Sequence, residues 1–307
     1  EKRRYQRLLL EREASRVFHA LQHTEAAVGL ARSRLDLAEG YGRPEPGGKA
    51  RDPLVRYLTP LERIRLAVLR EEAGQAVMAA EKDYQKALAE FRSLLALPAD
   101  TAVQAAPLEL PAPPPEPAGR EQNLDAHPLL AFARREVEAA RAGVVVAESQ
   151  RFADPALNLF RERDFLNGER RDVTGVGISV QLPLWNQNRG PVAKARAEVL
   201  RARAQLGLRQ RDALTRLSQS YTELARLIEQ AQRTRTNLLE PARQVFELTR
   251  RGFTSGELNL LALVDANNTH FDAQARYLEL LKEAQVAAAE LRLAAGISLL
   301  EDREVQP

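Results

Sequence analysis

"GVGISVQLPLWNQNRG", residues 175–190, alternates strictly from Val176 to Leu184. Val176, Ile178, Val180, Leu182 and Leu184 are apolar, and Gly177, Ser179, Gln181 and Pro183 stand between them. A period of two places one set of side chains on one face of a β-strand. From Thr174 to Leu184 there are 11 residues, within the roughly 9–11 that cross a bilayer in a tilted barrel strand. Upstream, "ALNLFRERDFL" (156–166) reads as a companion strand and "NGERRD" (167–172) as the turn, signalled by Asn167-Gly168. Leu157 and Leu159 suit the apolar face. Arg161 and Arg163 continue it with charges that are costly in lipid, so "RERDF" is expected to project beyond the bilayer.

Nearly everything around this hairpin reads as long helix. Ala273, Tyr277, Leu280, Ala284, Ala287, Leu291 and Ala294 recur at alternating steps of four and three, a heptad-like seam. Two hundred residues earlier the seam repeats as Ala73, Val77, Ala80, Tyr84, Ala87, Phe91 and Leu94. A second pair of seams (Leu214, Leu217, Tyr221, Leu224, Ile228, Ala231, Leu238 and Ala14, Val17, Leu21, Thr24, Val28, Ala31, Ala38) has the same offset, and "AEFRSLLAL" (89–97) echoes "AELRLAAGI" (289–297). The chain is a tandem duplication. Its alanine-rich seams suit helices packed closely side by side. A helix from about Val192 to Thr249 would run roughly 85 Å, too long for an ordinary compact globule.

The repeat divides the chain into a first unit over 1–97, a Pro/Ala-rich connector over 98–126, a second unit over 127–296 and a tail over 297–307. The second unit reads as a helix, the β-hairpin over 156–185, and a long helical hairpin over 191–296 that reverses near "RRGFTSGELN" (250–259). Residue 1 corresponds to residue 201, so the first unit, with its own hairpin and any leader, is expected to begin about 74 residues before residue 1. In the first unit "GRPEPGGKARDP" (42–53) should open the reversal earlier, and Thr59, Pro60 and Glu62 mark the return helix as N-cap, N1 and N3.

Composition narrows the function. Lys+Arg number 45 against Asp+Glu 42, a net charge of +3 with both signs interspersed, unlike the concentrated basic stripe of a nucleic-acid binder. There is no cysteine, hence no disulfide, thiolate nucleophile or cysteine metal site. No catalytic constellation, phosphate loop or dinucleotide fingerprint is found. The reading is therefore of a non-enzyme without cofactors. Of four histidines (His19, His23, His127, His270), His19 and His23 stand at i and i+4, but "HALQH" lacks the glutamate of a zinc-protease motif. With Met78 the lone methionine, no metal site is expected. His270 falls on a seam, where a packed or hydrogen-bonded ring is the default.

Taken alone, the strand favours a small soluble sheet capping a helical bundle, which leaves a soluble coiled-coil scaffold as one reading. The tandem unit, "DPALNLF", "GVGISVQLPLWNQNRG" and the turn "GFTSGELNLLALVDA" (252–266) together resemble the TolC-like outer-membrane efflux channels over essentially the whole chain. "LPLWNQNRG" is most similar to the heavy-metal, cobalt-zinc-cadmium resistance branch. The resemblance implies a homotrimer in the Gram-negative outer membrane with a long periplasmic extension. Each protomer would give four strands to one 12-stranded β-barrel and long helices to an α-barrel tunnel. It implies a periplasmic adaptor and an inner-membrane pump, of the proton-driven RND type, that delivers divalent metal cations to a passive duct. A drug-efflux or type I secretion channel is the alternative within the class. In such a barrel, Val176, Ile178, Val180, Leu182 and Leu184 would meet outer-membrane lipid, Ser179 and Gln181 the lumen, and Trp185 the membrane interface.

By the same resemblance the 252–266 turn docks the adaptor and helps to close the tunnel. Gly256 can supply a positive φ for the reversal. Asp265 matches an acidic position of the family's "LLDA"-type motif, where three carboxylates would meet at a constriction; Ala262 stands where some relatives carry a second acid. The alternative is a solvated helix residue. Arg250 and Arg251 are read either as partners of acids on neighbouring helices at the gate or as solvated, and Glu257 either as part of the tip or as a first-turn acid favoured by the helix dipole.

Overall fold

A computed structural model describes residues 2–40, 59–114, 124, 126–151, 154–166, 169–180 and 188–298. In chain order they form α1 (Lys2–Gly40), α2 (Pro60–Leu94), α3 (Pro128–Ser149), β1 (Ala156–Leu166), β2 (Glu169–Ser179), α4 (Arg189–Thr234), a π-helical turn (Arg235–Leu239), α5 (Glu240–Thr254) and α6 (Leu260–Ala295). The fold is mainly helical with one antiparallel hairpin, as the periodicities predict. Among the described residues no helix is long and apolar enough to cross a membrane. The 42–53 reversal and the 299–307 part of the tail lie outside the described residues.

One compact unit comprises Leu124–Ala213 with Glu1–Lys2. His127 caps α3, its Nδ1 accepting from the Leu129 N–H at 3.2 Å, and Pro128 occupies a position that needs no donor. The apolar stripe of α3 buries Leu130, Ala133, Val137 and Ala147. Asn188, at φ 53°, donates through Nδ2 to the Ala147 carbonyl at 2.7 Å and so fixes the start of α4 against α3. Arg196–Glu148 at 2.9 Å, an Arg209–Glu136 ion pair, and Arg209 lying 6.0 Å from the Phe132 ring centroid continue the contact.

The hairpin belongs to the same unit. Its ladder runs from Ala156↔Ser179 to Leu166↔Glu169. This corrects two expectations. The strand begins at Glu169 rather than Thr174, so Glu169–Asp172 belong to β2 and not to a six-residue turn. It also ends at Ser179, with Val180 just beyond; Gln181, Leu182, Leu184 and Trp185 lie outside the described residues. Within the ladder Arg161 and Arg163 pair across the strands with Asp172, at 2.8 and 3.3 Å. These contacts satisfy charges that hydropathy alone scores as loop.

The other unit comprises Arg3–Asn123 and Leu214–Pro307. Its core at one end gathers Ala38 from α1, Leu66, Leu69 and Ala73 from α2, Phe246 and Phe253 from α5, and Leu260 and Leu263 from α6. Arg32–Glu81 (2.7 Å) and Arg16–Glu90 (2.9 Å) tie α1 to α2, and Arg12–Glu290 (3.1 Å) ties α1 to α6. After a turn over 98–101, where the Thr101 N–H bonds to the Pro98 carbonyl at 3.2 Å, the connector runs without helix or strand to 114 and finds partners as it passes. Its Ala106 carbonyl accepts from Gln22 at 2.7 Å and its Glu109 carbonyl from Gln285 at 2.8 Å. Val103 packs on Leu21 and Leu88, and Leu110 on Leu224 and Ile228. The π-helical turn precedes Pro241, which has no N–H to give to the carbonyl four residues back. The Glu240 N–H bonds instead to Arg235, five residues away.

Candidate functional site

The reversal between α5 and α6 is built by a glycine-terminated cap. The Gly256 N–H bonds to the Phe253 carbonyl at 3.1 Å and the Glu257 N–H to the Gly252 carbonyl at 2.9 Å. This pair of bonds defines a Schellman motif, and it requires the left-handed residue between them, Gly256 at φ 80°. Its apolar contact is Leu258, folded back over Gly252. A Cβ on Gly252 would stand 2.7 Å from a Leu258 methyl carbon. Asn259 then starts α6, its Oδ1 accepting from the Ala262 N–H at 2.9 Å. Beneath the turn, Phe253, Leu260 and Leu263 are buried together. The tip is thus a rigid corner.

The charged tip residues are all exposed and do not converge. Asp265 and Glu257 are solvent-facing. Arg250 pairs with Glu247 on its own helix at 3.0 Å, and Arg251 Nε donates to the Glu247 carbonyl at 3.3 Å. Within this chain Arg250 thus meets an acid one turn back on its own helix.

Behind Asp265 lie Asn267, which periodicity missed, and His270, which falls on the seam. Asn267 is wholly buried on α6 with neither side-chain polar atom hydrogen-bonded. One turn on, His270 is buried and stacked on Phe246, with ring centroids 5.2 Å apart and planes 4° apart, and its Nδ1 has no partner. Burial holds the His270 pKa below its ordinary 6.5. Asn267 stands beside that seam, and nothing in the sequence marked its burial. Near the same end, Leu61, Ile64 and Val68 form an exposed apolar stripe on α2, and Val245 and Leu248 another on α5. Their i, i+3, i+7 spacing was visible in sequence. Which side they face was not.

His19 and His23 have separate partners. His19 Nδ1 meets Gln22 Oε1 at 2.7 Å, and His23 Nε2 meets Glu279 Oε2 at 3.1 Å. Burial lowers both pKa values, reinforced at His23 by Lys282 and opposed by Glu279. His23 therefore holds Glu279 as a neutral ring near pH 7.

The hairpin separates two surfaces. On one, Leu157, Leu159, Val176, Ile178 and Val180 are between 58% and 76% exposed, and Arg161, Arg163 and Asp172 share that face by register. On the other stand Asn158, Phe160, Gly175, Gly177 and Ser179. There the Phe160 ring lies over Gly175 so closely that a Cβ would sit 2.4 Å from it. A two-stranded sheet with five bare aliphatic side chains is not stable alone in water.

Residues 120–297 match the family described as outer membrane efflux protein. The cobalt-zinc-cadmium resistance protein CzcC of Cupriavidus metallidurans is 30% identical over 178 residues, which are 58% of this chain and 42% of that protein. The matched stretch thus spans under half of that relative's length. Among solved structures, CusC superposes with a TM-score of 0.77 at 17% identity, covering 96% of this chain and 70% of CusC. The open state of the MtrE outer membrane channel of Neisseria gonorrhoeae superposes with a TM-score of 0.74 at 18% identity, covering 97% and 68%. These two share the fold.

Proposed function

Because this chain belongs to the outer membrane efflux protein family, we propose that it is a channel subunit of a tripartite efflux system, a passive exit duct seated in the outer membrane. An inner-membrane, proton-driven pump and a periplasmic adaptor deliver its cargo, and the similarity to CzcC supports divalent heavy-metal cations as that cargo. The observation that carries the membrane assignment is the hairpin. Its exposed aliphatic face needs lipid, and its free strand edges need neighbours. Hairpins pooled from three copies and closed into a barrel supply both. The exposed stripes of α2 and α5 support the same assembly, since apolar helix faces of this kind are covered by partner helices.

The 252–259 corner is the adaptor-facing tip in this reading, and Asp265 is the gate residue, exposed so that three carboxylates can approach one axis. Gly256 and the exposed Glu257, Arg250 and Arg251 belong to the same tip. Opening separates helices at this end without unmaking the corner, which is braced by its own backbone bonds. The test is the conductance of the full-length protein in planar bilayers. A trimer with low conductance that rises in Asp265→Ala is expected. Absence of any channel from folded protein would defeat the membrane reading, and a channel indifferent to Asp265→Ala would remove Asp265 from the gate.

A further inference from the structure

The register places a charged cluster at one limit of the lipid-facing surface. Arg161 lies opposite Thr174, where the 11-residue alternating stretch begins, and Arg163 lies opposite Asp172, two residues farther out. All three charged side chains share the face of Leu157, Leu159, Val176 and Ile178. The apolar face of the described hairpin therefore ends in guanidinium groups, which are favoured at the depth of lipid headgroups.

Charge and geometry select the partner. Asp172 gives one oxygen to each arginine, Oδ2 to Arg161 Nη2 at 2.8 Å and Oδ1 to Arg163 Nε at 3.3 Å. One carboxylate against two guanidiniums leaves one positive charge in excess. The side chains of Arg161 and Arg163 remain 65% and 60% exposed, and Asp172 41%. A guanidinium has five N–H donors in a planar fork that matches phosphate oxygens, and each meets Asp172 with only part of that fork. We propose that Arg161 and Arg163 bind the phosphate of an acidic outer-membrane lipid, which competes with Asp172 for their donors. This rests on the outer-membrane reading above. The site anchors the outer end of the hairpin and sets its depth, as interfacial Trp185 is expected to do at the other end.

Native mass spectrometry of the detergent-solubilised full-length protein, titrated with lipid A, tests the site. Wild type retains lipid A, and the Arg161→Gln/Arg163→Gln double variant loses about thirtyfold in affinity, at roughly 1 kcal/mol for each of the two basic residues at a lipid surface. Asp172→Asn releases both guanidiniums and tightens binding, an effect that misfolding cannot imitate. The Arg161→Lys/Arg163→Lys variant keeps the charge without the fork and recovers part of the loss. Equal affinity in wild type and the double variant, weaker binding in Asp172→Asn, or full displacement of lipid A by millimolar inorganic phosphate overturns the site. Alkaline washing of phosphatidylcholine vesicles separates the two levels. Wild type retained there, with lipid A affinity unmoved by the variants, overturns the headgroup site alone. Wild type washed off overturns both readings.

Discussion

α2 and α6 are the same helix written twice, 200 residues apart, and the structure places them at different depths. Both start from a polar cap: Thr59 accepts from the Glu62 N–H and Asn259 from the Ala262 N–H. Both end in a left-handed residue, Ala96 at φ 51° and Gly296 at φ 74°. Leu61 and Leu261 are equally exposed, at 57%. Between these matched ends they diverge. α2 buries five residues, whereas α6 buries thirteen, Asn267 and His270 among them. The positions opposite those two in α2 are Ala67 and Arg70. Duplication thus preserved how the helix begins and stops, which is decided by local backbone bonding. Its faces changed with its neighbours.

The largest expected effect breaks the pair at a position where depth differs most. Leu263 is 0% exposed, and its counterpart Arg63 is exposed. Leu263→Ala should destabilise the folded protein by about 2–5 kcal/mol, and Arg63→Ala by no more than about 0.5 kcal/mol. Denaturant unfolding of the full-length protein in detergent measures both. Equal losses would mean that α2 and α6 are buried alike in the assembled protein.

Next comes the buried amide. Asn267 leaves a donor and an acceptor unpaired in a wholly buried position, at a desolvation penalty of about 1–3 kcal/mol. Asn267→Leu, of similar volume, should therefore stabilise the protein by about 1 kcal/mol or more, while Ala67→Leu on the exposed side of α2 should change little. A destabilised Asn267→Leu would show that the amide has a partner in the working channel.

These contrasts mark what could be read in advance. The 200-residue offset, Thr59-Pro60 with Glu62 as a helix start, and Gly256 as a turn were legible because caps and left-handed residues are local chemistry. Of the seam over 273–294, Ala273, Leu280, Ala284 and Ala287 are buried, and Tyr277, Leu291 and Ala294 are half-buried. The strand ends were not legible. Alternation reports an apolar face, but the ladder continues past it, with Arg161 and Arg163 paired to Asp172. Leu258 over Gly252 was equally hidden, because nothing in a sequence announces which side chain folds back over a glycine. The pairing of Arg250 with Glu247 rather than another helix depended on rotamers, which sequence spacing permits and does not choose.

The two helix ends offer a smaller and sharper test. The same pair of bonds closes both: Leu97 N–H to the Arg92 carbonyl at 2.9 Å and Ala96 N–H to that of Ser93 at 3.3 Å, then Ile297 N–H to Arg292 at 3.0 Å and Gly296 N–H to Leu293 at 3.1 Å. Alanine is strained in a left-handed backbone and glycine is not. Ala96→Gly should therefore stabilise by about 1 kcal/mol, and Gly296→Ala should destabilise by about as much. The entropic cost of glycine alone would give the reverse of both signs. A shared sign would mean that one of the two ends does not keep this cap.

The smallest effect is set by pH and separates position 270 from position 70. Arg70 donates through Nε to the Ala38 carbonyl at 3.0 Å. His270 is held neutral by burial, with Glu247 raising its pKa and Arg243 lowering it. Its folded pKa lies below the unfolded value of 6.5, so the unfolded chain takes up the proton first. The stabilisation is fully present above that value and is lost as pH falls from 6.5 toward the folded pKa. His19 and His23 are depressed in the same direction and add to the loss. Thermal unfolding of the full-length protein between pH 7.5 and pH 5.5 should show a midpoint that falls with acid, and His270→Gln should flatten part of that slope while Arg70→Gln leaves it unchanged. A midpoint that rises on acidification would place a cation-stabilising partner at one of these rings. If Arg70→Gln flattened the slope as much as His270→Gln, the dependence would belong to the shared helix end and not to the buried histidine.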